Sequence, residues 1–196
     1  MGILHRAWQL KKNRKMIRFY KAFIPAGGLC FDIGANHGKY TALFLRCNAK
    51  VVAVEPQKAC FEELQENYES AENVKLIHAA VGAEKGEAVL FLGKNDEVST
   101  LSQEFIDAYS IYEHNKWEKQ ERIVLTTLDD LVKEYGIPDF CKLDIEGWEE
   151  EALKGLSSAI PAISFEYNAL LKPKAIACIR SLARKGNYFF NFSAYE

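Results

Sequence analysis

The segment CFDIGANHGKYTALF, residues 30–44, joins an apolar stretch to an amphipathic one. The apolar stretch reaches Asp32, and two glycines, Gly34 and Gly38, precede the helical pattern. Glycine lets the backbone approach a ligand closely and turn sharply into a helix. A strand, a glycine turn and a helix in this order therefore predict a cofactor loop, although similar turns occur in α/β proteins that bind no nucleotide.

The rest of the chain continues the alternation of strands and helices. Seven apolar runs have the length and composition of strands: LCFDIG, KVVAVEP, NVKLIHAAVG, EAVLFLG, RIVLTTL, FCKLDIEG and AISFEYN, with YFFNF as an eighth near the end. Helical patterns separate the first three, which is typical of a parallel sheet. We predict an α/β fold of the doubly wound, Rossmann-like type, with a mostly parallel sheet, helices on both faces and a β-rich insertion after the third strand.

Charge and composition divide the chain into two parts. Its 196 residues, 48% hydrophobic, suffice for one substantial core. We expect a basic amphipathic helical segment at 1–26 and one domain at 27–196. Residues 1–31 hold seven basic side chains and no acid, whereas the remainder has 18 Lys or Arg against 27 Asp or Glu. The acidic body predicts no broad nucleic-acid binding, and residues 1–24 are suited to weak contact with a membrane or an anionic carrier.

The cysteines and the apolar runs bear on the compartment. Five cysteines without a CxxC pair favour free thiols in a reducing environment. No apolar run approaches the ~18 residues of a membrane span, and the start of the chain lacks the apolar core of a signal peptide. We expect a cytoplasmic protein that is a monomer or a homodimer.

Four acidic side chains stand at or near predicted strand ends. They are Asp32, Glu55, Asp144 and Glu166. The carboxyl ends of parallel strands meet at one edge of a sheet, so we expect these acids on one rim. Carboxylates gathered in this way are costly unless a cation or a hydroxyl-rich ligand lies among them. Glu55 follows Asp32 by 23 residues, about the spacing of an acid that binds ribose hydroxyls.

Two cofactors with a ribose are compatible with this rim, NAD and S-adenosylmethionine (SAM). The pyrophosphate of NAD favours a G-x-G-x-x-G turn at a helix N-terminus. Here the turn reads DIGANHG, without the first G-x-G, and it places Asp32 where a phosphate would be repelled. SAM carries a sulfonium and an ammonium instead, and both favour a nearby carboxylate. The predicted cofactor is SAM, and an NAD-dependent oxidoreductase is the alternative.

Several of these motifs together resemble the FkbM-type SAM-dependent methyltransferases. The matching segments are FDIGANHGKYT, AVEP, TTLDDLVKEYGIPDFCKLDIEGWEEEALKG and ISFEYN, within about residues 28–192. The resemblance implies a class I methyltransferase fold and, usually, O-methylation of a sugar or another hydroxyl-bearing metabolite, with a small-molecule or glycan acceptor. A protein of this fold that binds SAM without catalysis and acts as an interaction module is a further alternative.

The resemblance also assigns parts of the cofactor site. The loop after the first strand is similar to the one that holds the methionine part of SAM, Glu55 to the ribose ligand and the 79–80 pair to the adenine wall. The predicted cofactor residues are Asp32, Gly34, Ala35, Asn36, Gly38, Thr41, Glu55, Pro56, Ala79, Ala80 and Asp144. The DIEG segment, with Asp144, Glu146 and Gly147, is similar to the family signature that faces the methyl group.

Methyl transfer to a hydroxyl requires alignment and benefits from a base. The candidate catalytic residues are Asp144, Glu146, His37 and Glu166. Two of them also have a plainer interpretation, since Glu146 is placed to be a helix N-terminal acid and His37 to be a loop residue.

Two further hypotheses concern a metal and a lid. Asp144, Glu146, Glu166 and Asn168 offer the oxygen ligands that Mg²⁺ prefers, but no tight ligand spacing supports a metal site, and none is predicted. The polar stretch with Ser99, Thr100, His114 and Trp117 is the candidate substrate lid.

Overall fold

The computed structural model of the chain describes residues 13–93, 98–110 and 116–193. Its strands are β1 (Leu29–Ile33), β2 (Lys50–Val54), β3 (Val74–Ile77), β4 (Ala80–Val81), β5 (Gly86–Gly93), β6 (Trp117–Thr126), β7 (Phe140–Leu143) and β8 (Ala162–Phe165). Its helices are α1 (13–20), α2 (Lys39–Arg46), α3 (Lys58–Tyr68), α4 (Gln103–Tyr109), α5 (Leu128–Tyr135), α6 (Glu149–Lys154) and α7 (Lys172–Ala183), with a 3-10 helix at Ala169–Leu171.

The main sheet has five parallel strands in the order β3-β2-β1-β7-β8. The chain therefore runs outward from β1 to β3 and then returns to the other side of β1 with β7. This reversal separates the loops that follow β1 and β7 and opens a crevice between them, which is where doubly wound sheets bind ligands. The predicted doubly wound fold class is confirmed.

Helices cover both faces of the sheet because side chains alternate along each strand. Phe31 and Ile33 of β1 belong to a core with side chains of α5, α6 and α7. Cys30 points the other way, into a core with α1, α2 and α3. Asp32 and Lys142 are register partners on β1 and β7 and share that second face, beneath α2.

Helix α1 presents one apolar side to the body and one basic side to solvent. Met16 and Tyr20, with Ile24 just beyond the helix, are buried in the second core. Tyr20 makes edge-to-face contacts with Phe44 and Phe140, with ring centroids 5.2 and 5.4 Å apart. The exposed residues on its outer side include Arg14, Lys15 and Arg18. The described part of the basic segment is thus packed against the sheet-and-helix body.

The predicted β-rich insertion is present and forms a second sheet. Its order is β4-β6-β5, with β5 and β6 antiparallel. The third predicted strand is divided between the two sheets, since 74–77 stay in the main sheet and 80–81 pair with β6. Trp117, expected in a polar loop, begins β6 instead, and His114 lies outside the described residues.

The strand predicted at 188–192 is absent from the structure. The Tyr188 hydroxyl accepts from the Ile160 amide at 2.9 Å and donates to the Ile160 carbonyl at 2.8 Å. These bonds hold the segment beside the body without a ladder, and Phe189 and Phe192 project into solvent. Consecutive aromatic residues favour a strand only where they can pack on a neighbouring strand of a sheet.

Among the described residues, no helix combines the length and apolarity needed to cross a bilayer.

Phe44 gives a direct test of the second core. Its ring is fully buried and contacts Tyr20 and Phe140, so Phe44→Ala leaves a cavity and should lower the free energy of unfolding by about 3–5 kcal/mol. Urea denaturation measures the change. Phe189→Ala is the matched control, because this exposed ring should change stability by less than about 0.5 kcal/mol. Equal effects of the two substitutions would contradict the described packing of α1 and α2.

Candidate functional site

Gly34 stands at the reversal of the sheet, where the loops after β1 and β7 touch. Its φ is +79°, and a Cβ built there would lie 1.9 Å from the carbonyl oxygen of Asp144. The amides of Gly34 and Ala35 both donate to the Val54 carbonyl, at 2.9 and 3.1 Å. No other residue type fits this close approach, so the glycine turn is fixed between the ends of β2 and β7.

Glu55 holds the same loop from the β2 side. One of its carboxylate oxygens accepts from the Asn36 amide at 2.7 Å, and the other accepts from the Gln57 amide at 2.8 Å. Burial raises the pKa of Glu55 to about 7 against the effect of these two hydrogen bonds. Each carboxylate oxygen has more than one acceptor site, so Glu55 can bind hydroxyls while it anchors the loop.

A buried charged group that the sequence analysis missed lies below the loop. Lys142 is almost fully buried, and its ammonium pairs with Asp144 and lies 4.0 Å from the centroid of the Tyr40 ring. Asp32 accepts from the Thr41 hydroxyl at 2.6 Å, and its second oxygen has no partner among the described residues. Burial raises the pKa of Asp32, although Thr41 and Lys142 oppose the shift. The sequence contains one indication of this buried charge, because Lys142 interrupts the apolar run FCKLD.

A cavity of about 410 Å³ opens above this group. Its lining includes these predicted site residues: Gly34, Ala35, Asn36, His37, Glu55, Pro56, Ala79, Ala80, Asp144, Glu146 and Glu166. Asp32, Gly38 and Thr41 do not line it. The insertion adds the segment 99–101, and Trp148 adds an aromatic wall. The volume is in the range of about 300–1,000 Å³ that is usual for small-molecule sites.

Three of the predicted catalytic carboxyl groups meet in this cavity. Oxygens of Asp144, Glu146 and Glu166 all lie within 4.8 Å of one another. Burial, followed by the negative charges of Glu166 and Asp144, raises the pKa of Glu146 to about 9. Glu146 and Glu166 are hydrogen-bonded through their side chains, which requires a proton between them. Near neutral pH the Glu146 carboxyl therefore keeps its proton.

The other two candidates of the sequence analysis are arranged differently. The His37 ring contacts the Glu63 carboxylate of α3 at 2.6 Å, at the exposed rim of the cavity. Asn168, the fourth ligand of the magnesium hypothesis, accepts from the Leu170 amide at 3.0 Å and donates to the Tyr109 hydroxyl. It thus caps the 3-10 helix, and the three carboxyl groups come together without it.

The protonation of Glu146 links stability to pH. The folded chain keeps this proton up to about pH 9, whereas the unfolded chain releases it near 4.5, so the free energy of unfolding falls as the pH rises between these values. Glu146→Gln should reduce this slope, to which Glu55 also contributes, and stabilise the protein by on the order of 1–3 kcal/mol near pH 8.5. Urea denaturation at about pH 6 and about pH 8.5 measures it. Glu62→Gln, at an exposed site, should keep the wild-type slope. Parallel slopes for the wild type and Glu146→Gln would contradict a protonated Glu146.

Comparison with known proteins gives one relative and two solved structures of interest. The hexuronic acid methyltransferase AglP of Haloferax volcanii is 25% identical over 181 residues, which cover 89% of this chain and 70% of that protein. A putative rRNA-methylase from Clostridium thermocellum has 10% identity and a TM-score of 0.43, with 86% of this chain and 77% of that chain covered. A TehB-like SAM-dependent methyltransferase from Corynebacterium glutamicum has 11% identity and a TM-score of 0.43, with 90% and 80% covered.

A family model describes most of the chain. The model of the methyltransferase FkbM domain matches residues 32–188, which include the glycine turn, Glu55 and the three carboxyl groups of the cavity. The resemblance found in the sequence is thereby confirmed. The chain belongs to the FkbM methyltransferase domain family and is a SAM-dependent methyltransferase.

Proposed function

We propose that the protein transfers the methyl group of SAM to a hydroxyl of a sugar, a glycan or a related small metabolite. One observation carries the proposal: the glycine turn, Glu55 and the Glu146–Glu166 carboxyl pair line a single cavity at the reversal of the sheet. The family supports SAM as the methyl donor. The name of the relative AglP supports a sugar as the acceptor.

The cavity fits SAM in its shape and in its charge. Because Gly34 has no side chain, the methionine part of SAM can lie directly against the backbone of the glycine turn. Asn36 adds a polar side chain to the same wall. Glu55 offers carboxylate oxygens to the ribose hydroxyls. Ala79 and Ala80 give a small apolar wall for the adenine. Asp144 lines the same cavity and offers a carboxylate to the cationic groups of the donor.

The chemistry needs little from the protein beyond alignment and removal of one proton. SAM supplies an electrophilic methyl group, and its sulfur leaves as a neutral thioether when the acceptor oxygen attacks. The Glu146–Glu166 carboxyl pair is the proposed acceptor of the proton that the hydroxyl loses. Lys142 pairs with Asp144, which distinguishes Asp144 from the Glu146–Glu166 pair. General base assistance of this type is worth about 10²- to 10⁴-fold in rate.

The carboxyl pair is tested by methyl transfer to a panel of sugars and polyols, with S-adenosylhomocysteine and the methyl ether measured by mass spectrometry. Glu146→Gln and Glu166→Gln should each lower the rate by about 10²- to 10⁴-fold. Glu66→Gln, on the exposed side of α3, should leave the rate unchanged. A protein that binds S-adenosylhomocysteine but methylates nothing in the panel would favour the non-catalytic alternative.

Glu55 is tested by the affinity for S-adenosylhomocysteine in calorimetry. Its hydrogen bonds from the ribose involve a charged group, so Glu55→Ala should weaken binding by about 10- to 100-fold. The ribose hydroxyls donate to the ionised carboxylate, and wild-type affinity should therefore increase as the pH rises through about 7. Glu66→Ala should bind as the wild type does. Equal affinities for the wild type and Glu55→Ala would remove Glu55 from the ribose site.

A further inference from the structure

The turn that presents Glu146 has an unfavourable backbone. Glu146 and Gly147 follow β7 with φ values of +51° and +84°. A left-handed conformation costs about 1–2 kcal/mol for a residue with a side chain, so contacts around the turn must maintain it. Glu149 stabilises the turn in part, because one of its carboxylate oxygens accepts from the Ile145 and Gly147 amides, both at 3.2 Å.

The insertion binds the first carbonyl of the turn. The Thr100 hydroxyl donates to the Glu146 carbonyl at 2.6 Å and accepts from the Ser102 amide at 2.9 Å. Thr100 is buried and is joined to Phe91 of β5 by two backbone hydrogen bonds of 2.9 and 3.0 Å. The hydroxyl is therefore held in place by the second sheet.

Helix α7 binds the second carbonyl. The Lys174 ammonium donates to the Gly147 carbonyl at 3.0 Å and to the Ser102 hydroxyl at 3.1 Å, and it pairs with Glu104 at 2.9 Å. Lys174 lies in the first turn of α7, where a positive charge opposes the helix dipole. Its contacts with the turn and with the insertion compensate for this position.

Helix α4 packs directly on the turn. Phe105 is fully buried, and a Cβ built on Gly147 would lie 3.0 Å from its ring. The insertion is thus docked on the backbone of the Glu146–Gly147 turn through Thr100, Phe105 and the Lys174 contact with Ser102. Ser99 and Thr100 of the candidate lid are thus part of a segment that contacts the body of the protein.

We propose that Thr100 and Lys174 are positioning residues, which hold the two carbonyls of the left-handed turn and so keep the Glu146 carboxyl against Glu166. The insertion then completes the proton-accepting group of the enzyme. The proposal depends on the carboxyl pair of the proposed function but not on which acceptor is methylated.

The test follows the Glu146 carboxyl itself by ¹³C NMR of the full chain labelled at the glutamate carboxyl carbons, with its signal assigned by loss in Glu146→Gln. Negative groups that face this carboxyl include Asp144, Glu149 and Glu166. In Thr100→Val and in Lys174→Met the turn loses a contact, and the Glu146 carboxyl should move away from these negative groups and toward water. Its titration midpoint should then fall by about one pH unit or more. Direct loss of the lysine charge would raise the midpoint, so a fall identifies displacement. Thr100→Ser should restore the wild-type titration.

Two matched controls separate positioning from general destabilisation. Thr127→Val removes the hydroxyl that caps α5 at 3.0 Å from the Asp130 amide, and Lys85→Met removes a surface ion pair with Asp130. Both should leave the Glu146 titration unchanged. If Thr100→Val does not fold, Lys174→Met alone decides.

Three results would overturn the proposal: an unchanged midpoint in Lys174→Met, an equal shift in the controls, or a wild-type Glu146 that titrates as an ordinary glutamate. A lack of methyl transfer alongside the expected NMR shifts would refute the proposed function and leave the positioning role supported.

Discussion

The contact between the Gly34 backbone and the Asp144 carbonyl brings the two halves of the site together. Strand order reverses between β1 and β7, so the loops that follow them diverge over most of their length. They meet only because Gly34 has no Cβ to push them apart. One loop then provides the glycine turn and the other provides Asp144 and Glu146, and both open into the same cavity. The placement of these groups relative to one another is therefore set at this point of the sheet.

The acids around that contact are compensated in two different ways. Asp144 has an internal cation, since Lys142 is buried beneath α2 and also lies against the face of Tyr40. Glu146 and Glu166 are instead joined by a side-chain hydrogen bond that holds a proton between them. A buried ion pair is costly to break, whereas a shared proton can be exchanged with a ligand. The first pair is thus suited to a structural role and the second to chemistry.

Much of the fold could be predicted because it depends on local patterns. The alternation of strands and helices predicted the parallel sheet. The positions of Glu55, Asp144 and Glu166 at strand ends predicted that they lie on one rim, and all three line the same cavity. The contacts of Thr100 and Lys174 could not be predicted, because they join residues 46 and 27 positions apart through elements whose docking leaves no periodic signal. The aromatic run at 188–192 was misread for a related reason, since strand propensity depends on a neighbouring strand that those residues do not find.

The second sheet contributes both Ala80 of the cavity wall and the Thr100 contact with the Glu146 carbonyl. Ala80 lies in β4, which pairs with β6, and β6 pairs with β5, to which Thr100 is bridged. The Ser99 hydroxyl also donates to the side-chain carbonyl of Gln57, which lies two residues after Glu55, at 2.8 Å. A change in the second sheet would therefore alter the cavity wall at Ala80 and the support of Glu146 together. Under the proposed function, an engineer who alters this sheet to change the acceptor must also measure the affinity for the cofactor.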